Sequence, residues 1–284
     1  MRLATILDEA GPSVAVVERD RCLRLPPNDG LGGSLREIAS AGADALHRIA
    51  AWVDVQPRGA GRPLDEVVFL AAVPDPGAIY TVGLNYRPSA DAGPDPDAPP
   101  RPLIYGKAAT SVAGDGAVLT WDRTLTANVD PECELGVVIG ATASAVASDD
   151  AIDHVFGYTC INDISSRDAW LDGDQWLLGK SMPGFCPVGP WVVTRDELDP
   201  ADLRLGAMIN GIPVQDGRTT QLRTSISEVI SYLSRHVTLR PGDLIATGTP
   251  PRLDGPLGPD RHLQLGDVVT VWIEGIGELT TTVA

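Results

Sequence analysis

From about residue 67 onward the chain never sustains a long apolar run. Short apolar segments recur, each closed by glycine or proline. The chain holds 30 glycines and 24 prolines in 284 residues, and in this region they punctuate the apolar segments in a way that suits short strands joined by tight turns. Segments 137–139, 155–161, 191–193, 244–246 and 268–273 read as strands, and Pro241-Gly-Asp243 and Leu265-Gly-Asp267 are turn signals preceding two of them. One helix interrupts this texture. Ser225-Ile-Ser-Glu228 is a capping box, and Ile226, Val229, Ile230 and Leu233 follow on one face.

The first seventy residues differ. Segments 13–17 and 22–25 read as strands about a polar turn, and Ser34-Leu-Arg-Glu37 is a second capping box. It opens a helix with Leu35, Ile38, Leu46 and Ile49 near helical spacing, and 56–63, with two prolines and two glycines, reads as a linker. The expected fold is therefore mixed and predominantly β, with a small α+β N-terminal domain at 1–70 and a larger domain at 71–284. Segment 87–102 holds six prolines in sixteen residues and reads as an extended loop that could serve as a lid.

The charge balance narrows the partners. Against 22 basic residues stand 38 acidic ones, a net charge of −16, which argues against nucleic acid and anionic membrane surfaces. The longest apolar stretch, around 137–147, falls far short of the ~20 residues of a spanning helix. No signal-like segment opens the chain, and the four cysteines form no CxxC pair. A cytoplasmic protein with free thiols is expected. Of the 22 basic residues only two are lysines, Lys107 and Lys180. Where arginine is used almost everywhere, a retained ammonium marks a position at which the planar guanidinium does not serve.

The chemistry concentrates in Val129-Asp-Pro-Glu-Cys-Glu-Leu-Gly-Val-Val-Ile-Gly140. On a strand Glu132 and Glu134 share one face, while Leu135, Val137 and Ile139 face the other. Two neighbouring carboxylates on a half-buried strand repel each other and are costly to desolvate, and a divalent cation is the simplest compensation. Asp163, at the end of another apolar run, offers a third carboxylate, and three such ligands suit a hard cation, Mg²⁺ or Mn²⁺. Taken alone, E-x-E favours a solvated strand edge over a cation site.

These pieces stand in an order that resembles the fumarylacetoacetate hydrolase family. Val82-Gly-Leu-Asn-Tyr86, Ile104-Tyr-Gly-Lys107, the strand above, Asn162-Asp-Ile-Ser-Ser-Arg-Asp168, Leu178-Gly-Lys-Ser181, Val214-Gln-Asp-Gly217 and Thr247-Gly-Thr-Pro250 match its motifs in sequence. The resemblance implies a mixed β-sandwich roll catalytic domain and a Mg²⁺ or Mn²⁺ held by Glu132, Glu134 and Asp163. It makes Lys180 and Arg167 catalytic, with Lys180 polarising a substrate carbonyl or stabilising a developing oxyanion. Thr249 falls where the family hydrogen-bonds the substrate's acid group, and Tyr86, Lys107, Trp170 and Gln215 join it as substrate-binding positions. A homodimer is implied, as is a 2-oxo acid or 1,3-dicarbonyl substrate, cleaved or decarboxylated through a metal-stabilised enolate.

Two positions depart from the family. Its hydrolases commonly carry a histidine and a glutamate just after the first motif, acting together as base and water activator. Here Ser89 and Ala92 stand at those positions. None of the four histidines lies in that segment, and each reads as a surface or core-satisfied side chain. Trp170 stands where glutamine is common, and would place a large apolar wall there. Isomerisation or cyclisation in specialised biosynthesis, or ligand binding without turnover, therefore stand as alternatives.

Overall fold

The computed structural model describes residues 1–27, 31–89, 98–168, 176–258 and 261–284. Among them, a twelve-stranded sheet runs in the order Arg62–Pro63, Arg21–Arg24, Gly11–Glu18, Arg2–Asp8, Cys186–Thr194, Val155–Asn162, Cys133–Ile139, Leu244–Ala246, Ile79–Gly83, Leu103–Lys107. Val68–Phe69 and Val112–Ala113 pair off this path. A five-stranded sheet of Ile212–Arg218, Arg204–Ile209, Val268–Ile273, Gly277–Val283 and Ala117–Leu119 packs against it. The fold is thus mixed and predominantly β, as the spacing of breakers requires.

The elements at the N-terminus extend the same sheet, with Arg2 and Leu3 opposite Val193 and Val192. Helix Leu35–Asp54 begins at the Ser34 capping box and breaks its regular geometry at Gly42, where φ is +61°. Leu35, Ile38 and Ile49 bury their side chains with Leu3, Val14 and Val192 in one core. The second capping box opens helix Ile226–Ser234, and Ile226, Val229, Ile230 and Leu233 are its buried face, as their spacing dictates. They join a second core between the two large sheets. No described helix is long and apolar enough to cross a membrane.

The strand Cys133–Ile139 differs from the sequence expectation of a half-buried strand. Every residue of it is buried. It lies inside the sheet, between Val155–Asn162 and Leu244–Ala246. Leu135, Val137 and Ile139 enter the core between the sheets, and Val138 enters the core under helix Leu35–Asp54. Gly136 has no room for a side chain, since a Cβ there would stand 2.7 Å from Ile161. A central strand has no wet edge, and Glu134 on it and Glu132 just before it line a cleft instead.

Candidate active site

Strand register assembles the acidic cluster. Cys133 lies opposite Asn162, and just beyond that pair Asp163 N donates to Glu132 O at 2.9 Å. The Asn162 side chain takes a bond from Glu132 N at 3.0 Å. Glu132, Glu134 and Asp163 are all buried, and each offers a carboxylate oxygen within 4.8 Å of the others.

The two lysines converge on one carboxylate. Lys107, the last residue of strand Leu103–Lys107, donates to Asp163 Oδ1 at 2.5 Å and to Ile164 O at 3.2 Å. Lys180, the last residue of helix Trp176–Lys180, donates to Asp163 Oδ2 at 2.6 Å, Ser165 Oγ at 2.8 Å and Glu132 Oε2 at 3.0 Å. Burial pulls the Lys180 pKa down, but Asp163, Glu132 and Glu134 more than reverse this, leaving it above the usual lysine value. Asp163 moves the opposite way. Burial raises it, and Lys107 and Lys180 outweigh burial, so its carboxylate stays below the usual range.

Glu134 has no such support. Among the described residues no lysine or arginine pairs with it, and the hydrogen bond it accepts comes from Gly248 N at 2.8 Å. Burial, then Asp163 and Glu132, hold its pKa well above the ordinary glutamate value against the pull of Lys180 and that N–H. Gly248 is required there: its φ is +102°, and a Cβ would meet Asn85 Cβ at 2.8 Å and Val82 O at 2.9 Å. Asn85 braces the same loop, donating to Thr247 O at 2.8 Å and Thr224 O at 3.1 Å.

A cleft of about 410 Å³ opens over this cluster. Glu132, Glu134, Asp163, Lys180, Arg167, Tyr86, Gln215 and Thr249 all line it, so the structure brings together most of the residues expected from sequence. Lys107 does not line it; its side chain lies behind Asp163 with no exposure. Trp170 and Ala92 lie outside the described residues, as does half of the proline-rich loop, residues 90–97. Gln215 engages both ends of its amide with the protein: Oε1 accepts from Cys133 N at 2.9 Å, and Nε2 donates to Thr249 Oγ1 and Pro250 O at 2.7 Å. Thr249 in turn donates to Cys133 O at 2.9 Å. This bracing holds the backbone between the two glutamates. Tyr86 Oη is buried without a partner, and burial, then Cys133 and Glu134, raises its pKa, so the phenol keeps its proton.

Of the outer wall, sequence reasoning singled out Arg167 but not Asp130 or Arg252. Arg167 donates through Nε to Asp130 Oδ2 at 2.8 Å and pairs with Glu132 Oε1 at 2.6 Å. The other oxygen of Asp130 meets His262 Nδ1 at 2.8 Å and Arg252 at 3.4 Å. Asp130 stands two residues before Glu132, a spacing that placed it on the same face. Arg252 carried no local signal. No histidine lines the cleft among the described residues. At the mouth Leu84 is 66% exposed with φ of +54°, a left-handed conformation uncommon for a bulky residue, and Trp176 stacks on Tyr105 with ring centres 4.3 Å apart.

The donor set fits a hard divalent cation. All three candidate ligand groups are carboxylates, and Glu134, buried and facing two others, has no lysine or arginine paired with it among the described residues.

Residues 78–284 match the family model described as the fumarylacetoacetate (FAA) hydrolase C-terminal domain. Solved structures similar over the whole chain include the following three. A fumarylacetoacetate hydrolase from the psychrophile Exiguobacterium antarcticum is 33% identical, with a TM-score of 0.88, over 100% of this chain and 99% of its own. A 5-carboxymethyl-2-hydroxymuconate delta-isomerase from Mycobacterium smegmatis is 32% identical, with a TM-score of 0.79, over 100% and 98%. A maleylpyruvate hydrolase from Sphingobium sp. SYK-6, in complex with manganese(II) and pyruvate, is 29% identical, with a TM-score of 0.79, over 100% and 99%.

Proposed function

The chain belongs to the fumarylacetoacetate hydrolase family, and we propose that it is a divalent-metal-dependent enzyme acting on a 2-oxo acid or 1,3-dicarbonyl compound by enolate chemistry. Glu134 carries this conclusion: a buried carboxylate beside two others, with no lysine or arginine of its own among the described residues, is poised for a cation. Glu132, Glu134 and Asp163 would hold Mg²⁺ or Mn²⁺, which when bound supplies Lewis-acid polarisation of a substrate carbonyl.

The protein's own groups do the rest. Lys180 keeps its proton at neutral pH and aims a fixed charge into the cleft. Its three N–H groups are already bonded to Asp163, Glu132 and Ser165. A substrate oxygen therefore replaces one of these partners, and Lys180 donates to it as negative charge develops there. Lys107 and Ser165 keep Asp163 and Lys180 in place. Tyr86 donates from a phenol that stays neutral. Thr249 rotates its hydroxyl from Cys133 O toward the substrate's acid group, while Gln215 keeps its position. Arg167 holds Glu132 from the side opposite Lys180.

Hydrolysis or decarboxylation of an acylpyruvate-like compound is the first reading, in keeping with the similar maleylpyruvate hydrolase. Isomerisation or cyclisation is the second. It is favoured by Ser89 standing at the family's histidine position and by the lack of histidine among the described cleft residues. A homodimer in the cytoplasm completes the proposal on the family resemblance alone. The test is incubation of Mn²⁺-loaded protein with acylpyruvates, oxaloacetate and dienedioates in D₂O, read by mass spectrometry and proton NMR. Product, or exchange of the protons next to the oxo group, is expected with at least one of them. A panel with neither would leave ligand binding without turnover as the surviving alternative.

A further inference from the structure

Charges alternate along the wall of the cleft. Lys107 meets Asp163 at 2.5 Å, Asp163 meets Lys180 at 2.6 Å, and Lys180 meets Glu132 at 3.0 Å. Glu132 then meets Arg167 at 2.6 Å, and Arg167 meets Asp130 at 2.8 Å. The last member is Arg252, and its contact with Asp130 is the longest, at 3.4 Å. Asp130 is already engaged, since Arg167 occupies one oxygen and His262 the other. The second bond of Arg252, from Nη2 to Arg261 O at 2.5 Å, goes to a neutral carbonyl. Its Nε is buried with no partner among the described residues. A guanidinium carries five N–H groups in a rigid fork, and among the described residues two of the five are engaged.

Among the described residues Arg252 is therefore the least neutralised cation lining the cleft, and its side chain is 19% exposed. Five buried side-chain polar atoms lack a partner among the described residues, and those of Thr81, Tyr86 and Arg252 belong to cleft-lining residues. Folded proteins rarely leave such groups unmatched, and their concentration around one cavity points to a ligand that matches them. Val214, Pro250 and Pro251 line the same cleft and offer apolar surface to a carbon chain.

We propose that Arg252 receives a second carboxylate of the substrate, so that the cleft selects 2-oxo diacids over 2-oxo monoacids. This rests on the oxo-acid function proposed above and adds the specificity residue. The head of the diacid lies at the Glu132, Glu134 and Asp163 end. The distal carboxylate accepts from the free N–H groups of Arg252, which can engage both of its oxygens. The guanidinium changes no bond; it sets which substrate is held.

The test uses Mn²⁺-loaded protein and calorimetric titration with three probes: 2-oxopentanoate, 2-oxoglutarate and 2-oxoadipate. The wild type is expected to bind at least one diacid more tightly than the monoacid. Arg252→Gln is expected to weaken the preferred diacid by about 10- to 100-fold, the range of a charge-assisted pair, and to change 2-oxopentanoate by less than about twofold. Arg252→Lys, which keeps charge without the fork, should fall between. An equal loss for monoacid and diacid would make Arg252 a mere clip for its loop and overturn the proposal, as would no loss for either. Monoacid binding with no diacid preference in the wild type overturns the role of Arg252 alone. Failure of all three probes to bind the wild type overturns the oxo-acid function, and this proposal with it.

Discussion

Lys180 approaches Asp163 at 2.6 Å, and on the five-stranded sheet Arg204 approaches Asp216 at the same 2.6 Å. The lengths match and the surroundings do not. The first pair is 4% and 1% exposed, the second 54% and 37%. Water and salt screen the surface pair, and two long side chains must be ordered to make it, so it contributes little. In the cleft the ions have already lost their hydration, and each depends on its partner to offset that loss. A contact distance alone therefore says nothing about energy. Burial decides what happens when one partner is removed.

That contrast can be broken most sharply at Lys107. Lys107→Ala removes one of two cations from Asp163, and chemical denaturation should show a loss of about 3–5 kcal/mol, the cost of stranding a buried charge. Saturating Mn²⁺ should recover part of it, because a ligand bound only by the folded state adds stability. An unchanged midpoint would mean that Asp163 needs no second ammonium. Lys180→Met should lower kcat by about 10²–10³, as for loss of one oxyanion donor. Mn²⁺ titration of the same variant separates a damaged cation site from lost chemistry.

Glu134→Gln sharpens the comparison from the other side, because this carboxylate is buried against its own kind. Its replacement by a neutral isostere should weaken Mn²⁺ binding by at least about tenfold, while the metal-free protein keeps or gains thermal stability. A metal-free variant that melts earlier would refute the view of Glu134 as a strained, unpaired charge. The smallest effect belongs to the surface. Arg204→Ala and Arg218→Ala, each breaking an exposed ion pair, should leave the denaturation midpoint within experimental error.

Much of the inner site was legible because its signals are local. Glu132 and Glu134 share a face through the two-residue period of a strand, and Asp163 follows an apolar run that is a central strand ending at the cleft. The capping boxes at Ser34 and Ser225 were equally local, each confined to four residues. The first strand, Arg2–Asp8, was missed as an element, since four consecutive buried residues show no alternation. Such a pattern arises when both faces of a strand are covered, and only the neighbours that cover it reveal that.

The sequence by itself determined the chemical inventory: three carboxylates, two lysines kept amid arginines, and, beyond residue 67, frequent breakers that suit short strands. It also carried the family, because motif order is a property of the chain. Only the tertiary structure decided how these groups divide the work. Lys107 and Lys180 lie 56 and 17 residues from Asp163 and meet on its two oxygens. Asp130 and Arg252 are 122 residues apart and meet at the cleft wall. Such contacts depend on strand register and on how the loops after Ala246 and Asp130 fold over the sheet end. Neither is encoded in any short window, because the free energy that selects them comes from burying the whole sheet at once.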